Sequence, residues 1–127
     1  MTEQKNVFII EDDSLMTRVF ERLFRLSGFE VEAAADGGDA LEYLKTATPK
    51  PDLILLDIMM PKVSGFDVLE SLKNNPELKM IPIVVLTNVA GKKEAERAVE
   101  MGASLYLIKS EHDPGEIVEK AKRVMVG

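Results

Sequence analysis

Residues 53–69 read LILLDIMMPKVSGFDVL. Four consecutive apolar residues, Leu53 to Leu56, run straight into Asp57. Helical spacing then begins at Ser64 and continues through Phe66, Val68 and Leu69. A continuous apolar run has no face left for water, so as a strand it is buried on both sides, the habit of parallel strands. The helix that fits residues 64–75 is stopped by Pro76. Strand, acid, turn and helix together make half of a βαβ unit, with a carboxylate at the joint.

Working outward, the same pattern recurs. VFII (7–10), VEAAA (31–35), IVVL (83–86) and LYLI (105–108) complete five apolar runs, each followed by an amphipathic stretch. After the first run, Met16, Val19, Phe20, Leu23 and Phe24 fall on one helical face. Arg18, Glu21, Arg22 and Arg25 fall on the other, and Gly28 supplies a stop. A second helix opens at Asp36, a fitting N-cap with Asp39 in the first turn. A fourth fits residues 91–101, closed by Gly102. The last has Asp113 as N-cap, Pro114 at its first position, and Ile117, Ala121, Val124 and Met125 inward. Five strands alternating with five helices predict one α/β domain over residues 1–127: a doubly wound parallel sheet joined by right-handed crossovers.

Such sheets bind ligands at the carboxyl ends of their strands. The first run ends in Glu11, Asp12 and Asp13, the third in Asp57, the fourth in Thr87 and the fifth in Lys109. Two carboxylates ~4 Å apart repel by about 1 kcal/mol in water and about 4 at an effective dielectric of 20. Acids gathered on one rim therefore call for a cation. Oxygen donors suit Mg²⁺, which takes one or two carboxylates with waters and a phosphate. A carboxylate can also be a nucleophile, and phosphoryl transfer to it needs a metal, a cation and a hydroxyl on the phosphoryl oxygens. Asp57, Lys109 and Thr87 supply nucleophile, cation and hydroxyl.

Composition excludes other classes. With no cysteine, disulfides and thiolate metal sites are ruled out. Sixteen Lys+Arg against 22 Asp+Glu give a net charge of −6, which argues against nucleic-acid binding. No apolar run approaches the ~20 residues of a membrane span, and residues 1–6 lack a signal peptide's apolar core, so a cytoplasmic location is expected. The lone histidine, His112, lies in a polar run and reads as an exposed loop residue.

The stretches FIIEDD, LILLDIMMPKVSGFDVL, IVVLT and GASLYLIK together resemble the receiver domains of two-component response regulators, of the chemotaxis type. The resemblance covers essentially the whole chain and implies a flavodoxin-like fold with strand order 2-1-3-4-5. It makes Asp57 the phosphoacceptor, Thr87 the switch hydroxyl, Lys109 the phosphate-pairing cation and Tyr106 the aromatic that changes rotamer. Mg²⁺ would be held by Asp12 directly, Glu11 through water, Asp57 and the Met59 carbonyl. Asp13 falls outside the acidic pair, as a helix cap. The repulsion relieved by the metal is then expected between Asp12 and Asp57. Met59 and Val89 match variable positions beside the phosphoryl group. The implied partners are a sensor histidine kinase or phosphotransfer protein upstream, and a downstream protein on the fourth helix, fifth strand and fifth helix. No binding to nucleic acid or membrane by this domain is expected.

Two positions depart from the family pattern. Ser110 stands where proline usually follows the lysine. Its peptide bond is expected to be trans, since a cis bond without proline costs about 3 kcal/mol. Asn88 is larger than the residue usual after the threonine, and narrows access to Asp57. A haloacid-dehalogenase-like phosphatase would need a second aspartate two residues after the nucleophile, where this chain has Met59. A degenerate receiver, serving as an unphosphorylated interaction module, is the other alternative. Both a stand-alone receiver and a segment of a longer regulator fit the sequence.

Overall fold

The computed structural model describes residues 4–60, 63–88 and 92–126. Its elements follow in strict alternation: β1 (Asn6–Ile10), α1 (Ser14–Leu26), β2 (Glu30–Ala34), α2 (Gly37–Thr46), β3 (Leu53–Asp57), α3 (Gly65–Lys73), β4 (Ile83–Thr87), α4 (Lys92–Glu100), β5 (Leu105–Ile108) and α5 (Pro114–Val126). The five strands form one parallel sheet in the order β2-β1-β3-β4-β5. This is the flavodoxin-like order expected from the sequence. Strand β3, the run that opened the reading, sits at the centre and is buried at every residue.

The sheet separates two apolar layers. On one side Phe8, Ile10, Ile54, Leu56, Ile83 and Val85 meet side chains of α2, α3 and α4. On the other, Val7, Ile9, Leu53, Leu55, Val84 and Leu86 meet Phe20 and Phe24 of α1 and Ile117, Val118 and Ala121 of α5. Alternate residues of one strand thus feed opposite layers, as the period of two requires. Val118 joins the inward face of α5, which its sequence pattern had not indicated.

Helix ends follow local chemistry. Asp13 Oδ1 accepts from the amides of Leu15 and Met16 at 3.0 and 3.3 Å, and Asp36 Oδ1 from that of Asp39 at 2.8 Å. Asp113 and Glu116 cap each other reciprocally at 2.9 and 3.1 Å. Gly28 and Gly102 sit at φ 93° and 103°, the left-handed backbone that closes α1 and α4. One element had no signal in the sequence: a single 3₁₀ turn, Lys109–Glu111, between β5 and α5. The Lys109–Ser110 bond is trans, as serine there dictates; the cis bond among the described residues is Thr48–Pro49. His112 follows the 3₁₀ turn and is only 18% exposed, not the open loop residue expected, with Glu116 4.0 Å from its Nδ1.

Candidate functional site

Strand register brings the charged residues together. Ile10 of β1 lies beside Leu56 of β3, so the next residues, Glu11 and Asp57, emerge side by side. Asp57 lies beside Leu86 of β4, and Thr87 beside Ile108 of β5, which places Thr87 and Lys109 at the ends of the adjoining strands. Glu11 and Asp57 are 3% and 4% exposed, and Thr87 is fully buried. The Lys109 ammonium pairs with Glu11 Oε1 and lies 3.4 Å from Asp57 Oδ2. Asp57 Oδ1 accepts from the Met59 amide at 3.0 Å, and Glu11 Oε2 from the Asp13 amide at 3.1 Å. Asp13, outside the acidic pair by its side chain, therefore holds Glu11 through its backbone. No sequence signal marks that role.

Gly65 keeps the turn after β3 closed. Its amide donates to the Ile58 carbonyl at 3.0 Å. A Cβ at this position would lie 2.6 Å from the Asp57 carbonyl oxygen, so only glycine lets the start of α3 approach the phosphoacceptor candidate's backbone.

The buried charges disturb one another. The Asp57 carboxyl is raised to about 7, first by desolvation. The hydrogen bond and negative charge of Glu11 add to the rise, while Lys109 and the Met59 amide pull it down. For Lys109, burial works against its charge, but Glu11 and Asp57 outweigh that and raise it. The larger repulsion in this rim is thus between Glu11 and Asp57. The sequence had pointed to Asp12 and Asp57, but Asp12 is exposed and water screens it.

Carboxylate oxygens of Glu11, Asp12 and Asp57 lie within 4.8 Å of one another. When all three are ionised, one ammonium leaves two negative charges unbalanced, which is the charge of one divalent cation. The donors are all hard oxygens, the set that Mg²⁺ takes. Glu11 and Asp12 also line a cleft of about 250 Å³ with Ser14, Thr17 and Arg18. A larger cavity, about 560 Å³, is lined by Asn6, Phe29, Glu32 and Tyr43 and holds none of the site residues.

Tyr106 of β5 is half-buried. Burial raises its phenol, a contact with the Thr87 side chain lowers it, and the Glu94 carboxylate of α4 raises it again. Thr87, Tyr106 and α4 are therefore neighbours. The Met59 side chain is 51% exposed at the rim. Val89, its counterpart in the sequence reading, lies outside the described residues.

The family model for the response regulator receiver domain matches residues 7–122. The chain belongs to that family. The polar-differentiation response regulator DivK of Brucella anthropi is 38% identical over 105 residues, covering 83% of this chain and 84% of DivK. The phosphorylated cyanobacterial phytochrome response regulator RcpA superposes with a TM-score of 0.84 at 29% identity, over 96% of this chain and 91% of RcpA. The Mn²⁺-bound form of response regulator Rcp1 does so with 0.78 at 31% identity, over 96% and 90%. The protein is thus a signalling module of two-component systems, and the phosphatase alternative falls away. Receiver domains work with histidine kinases or phosphotransfer proteins and with downstream effectors. No helix among the described residues is long and apolar enough to cross a membrane.

Proposed function

We propose that this receiver takes a phosphoryl group on Asp57 and converts it into a change of its α4–β5–α5 surface. The observation that carries the reading is the Glu11–Lys109–Asp57 cluster: buried, crowded and short of positive charge. One Asp57 oxygen attacks the phosphorus of a phosphohistidine on a sensor kinase or phosphotransfer protein. The new P–O bond forms as the P–N bond breaks, and the imidazole leaves and takes up a proton. Mg²⁺, held by Asp12, Asp57, the Met59 carbonyl and, through water, Glu11, would neutralise charge on the phosphoryl oxygens. Lys109 exchanges part of its hold on Glu11 and Asp57 for the phosphoryl group, and Thr87 donates its hydroxyl to another phosphoryl oxygen. That draw on Thr87 changes the space beside Tyr106, whose ring shifts and remodels the surface met by a downstream protein. The RcpA and Rcp1 structures, one phosphorylated and one bound to Mn²⁺, support the chemistry by likeness. A cytoplasmic setting suits such partners.

Intact mass after incubation with a small acyl phosphate and Mg²⁺ tests the proposal. One added phosphoryl group, labile to base and mapped to Asp57, is the expected result. An unmodified chain under conditions that label other receivers would favour the unphosphorylated interaction module instead.

A further inference from the structure

Helix α4 is poorly anchored. Its sequence, KKEAERAVE, is mostly charged, and among its described side chains only Ala98 is buried. Val99 is 56% exposed. Arg97 reaches across to another helix, with its guanidinium carbon 4.0 Å from the centroid of the Phe66 ring. Phe66 is in the first turn of α3 and packs against the core layer on that side of the sheet. It directly follows Gly65, whose amide donates to the Ile58 carbonyl and which approaches the Asp57–Ile58 backbone too closely to leave room for a Cβ.

We propose that Arg97 and Phe66 form a clasp that positions α4 and ties it to the backbone carrying Asp57, a route separate from the Thr87–Tyr106 contact. A shift at Asp57–Ile58 moves Gly65, because no free space separates them. Gly65 moves the adjoining ring, and the ring moves the guanidinium. Neither residue touches the reacting atoms, so both are positioning residues. The link to Asp57 rests on the phosphoacceptor reading, whereas the clasp itself does not.

The test has two arms on the full chain. Without ligand, hydrogen exchange is followed at the amides of Met101, Gly102 and Ala103, which close the end of α4 on Arg97, Val99 and Ala98. Phe66→Leu and Arg97→Gln should each speed exchange there two- to fivefold, and the double variant no further, while strand amides stay unchanged. Arg97→Lys, which keeps the cation, should recover much of the protection. Unchanged exchange, or effects that multiply in the double variant, would overturn the clasp.

In the second arm, Mg²⁺ and beryllofluoride are added as a phosphoryl mimic, and amide resonances are compared. Wild type and both variants should respond alike around Asp57, Thr87 and Lys109. The response of residues 93–100 should shrink in Phe66→Leu and Arg97→Gln. Full retention of that response in both would overturn the coupling. If even wild type gave no response around Asp57, the phosphoacceptor reading would fail, and the exchange arm would still decide the clasp.

Discussion

An aspartate stands at each end of β3, and the two meet opposite fates. Asp52, just before the strand, accepts from the Asn6 amide through Oδ2 at 2.8 Å and donates its own amide to the Asn6 carbonyl at 2.8 Å. It is a clip between the starts of β1 and β3, with water at hand. Asp57, five residues on, is buried against Glu11 with one shared ammonium and one backbone amide. A carboxylate given donors and solvent stabilises a fold. One pressed against a second carboxylate makes it less stable, and becomes useful when a cation or phosphoryl group arrives.

The largest expected contrast is chemical. Asp57→Asn should abolish phosphorylation by an acyl phosphate and leave the fold intact, because the amide is nearly isosteric but is no nucleophile. Asp52→Asn keeps an oxygen for Asn6 and should label as wild type does. Full labelling of Asp57→Asn by intact mass would erase the distinction.

Next comes the shared cation. Lys109→Met keeps the apolar stem but leaves Glu11 and Asp57 facing each other in a dry site. A buried pair broken on one side costs about 3–5 kcal/mol. Asp57 can blunt this by taking up a proton, so a loss near about 3 kcal/mol is expected in urea unfolding. A loss below about 1 kcal/mol would mean that the pair is wetter than its burial indicates.

A smaller contrast lies in pH dependence. The ordinary value for Asp57 is 3.8, and in the fold it rises to about 7. Between those values the folded state holds a proton that the unfolded chain releases, so this residue's effect on stability turns unfavourable as pH rises through that window. In metal-free melts, Asp57→Asn should therefore gain on wild type steadily from pH 4.5 to 7.5. A constant difference in Tm across that range would contradict the raised Asp57 carboxyl, and with it the burial and the Glu11 charge that raise it.

Met59 adds a kinetic effect. Its apolar, half-exposed side chain cannot orient water by hydrogen bonding. Met59→Asn should speed phosphate loss about fivefold, the value of one hydrogen bond of about 1 kcal/mol. Slower loss from the variant, timed by loss of label, would refute this.

These contrasts also mark what the sequence could carry. Strand positions were legible because each apolar run is short and bounded, and caps such as Asp36 and Asp113 act on amides two or three residues away. The rim was legible as a set, since four of the five strands, β1, β3, β4 and β5, carried a polar residue into the same place. Which acid faced which was not. The Lys109–Glu11 pair spans 98 residues, and the burial of Glu11 beside the exposure of Asp12 depends on where the chain leaves the sheet. The 3₁₀ turn after β5 was hidden because three polar residues give no periodicity to read. The Arg97–Phe66 contact joins two helices whose own patterns are silent about each other.

The smallest expected effect separates the opening acids. Asp12 is exposed, and Glu11 rather than Asp12 loads Asp57. Asp12→Asn should change metal-free stability by no more than a few tenths of a kcal/mol, because water screens an exposed charge. It should nonetheless remove most of the stabilisation that Mg²⁺ gives by binding only the folded state. Asp13→Asn should also melt like wild type, since Asn caps the amides of Leu15 and Met16 about as well as Asp. Its backbone amide still holds Glu11, so the Mg²⁺ response should persist. Only the metal tells the two variants apart: without it both resemble wild type, and with it only the Asp12 variant fails to rise in Tm. The reverse pattern would move the metal-binding pair one residue along the chain, and would make the Asp13 side chain a ligand rather than a cap.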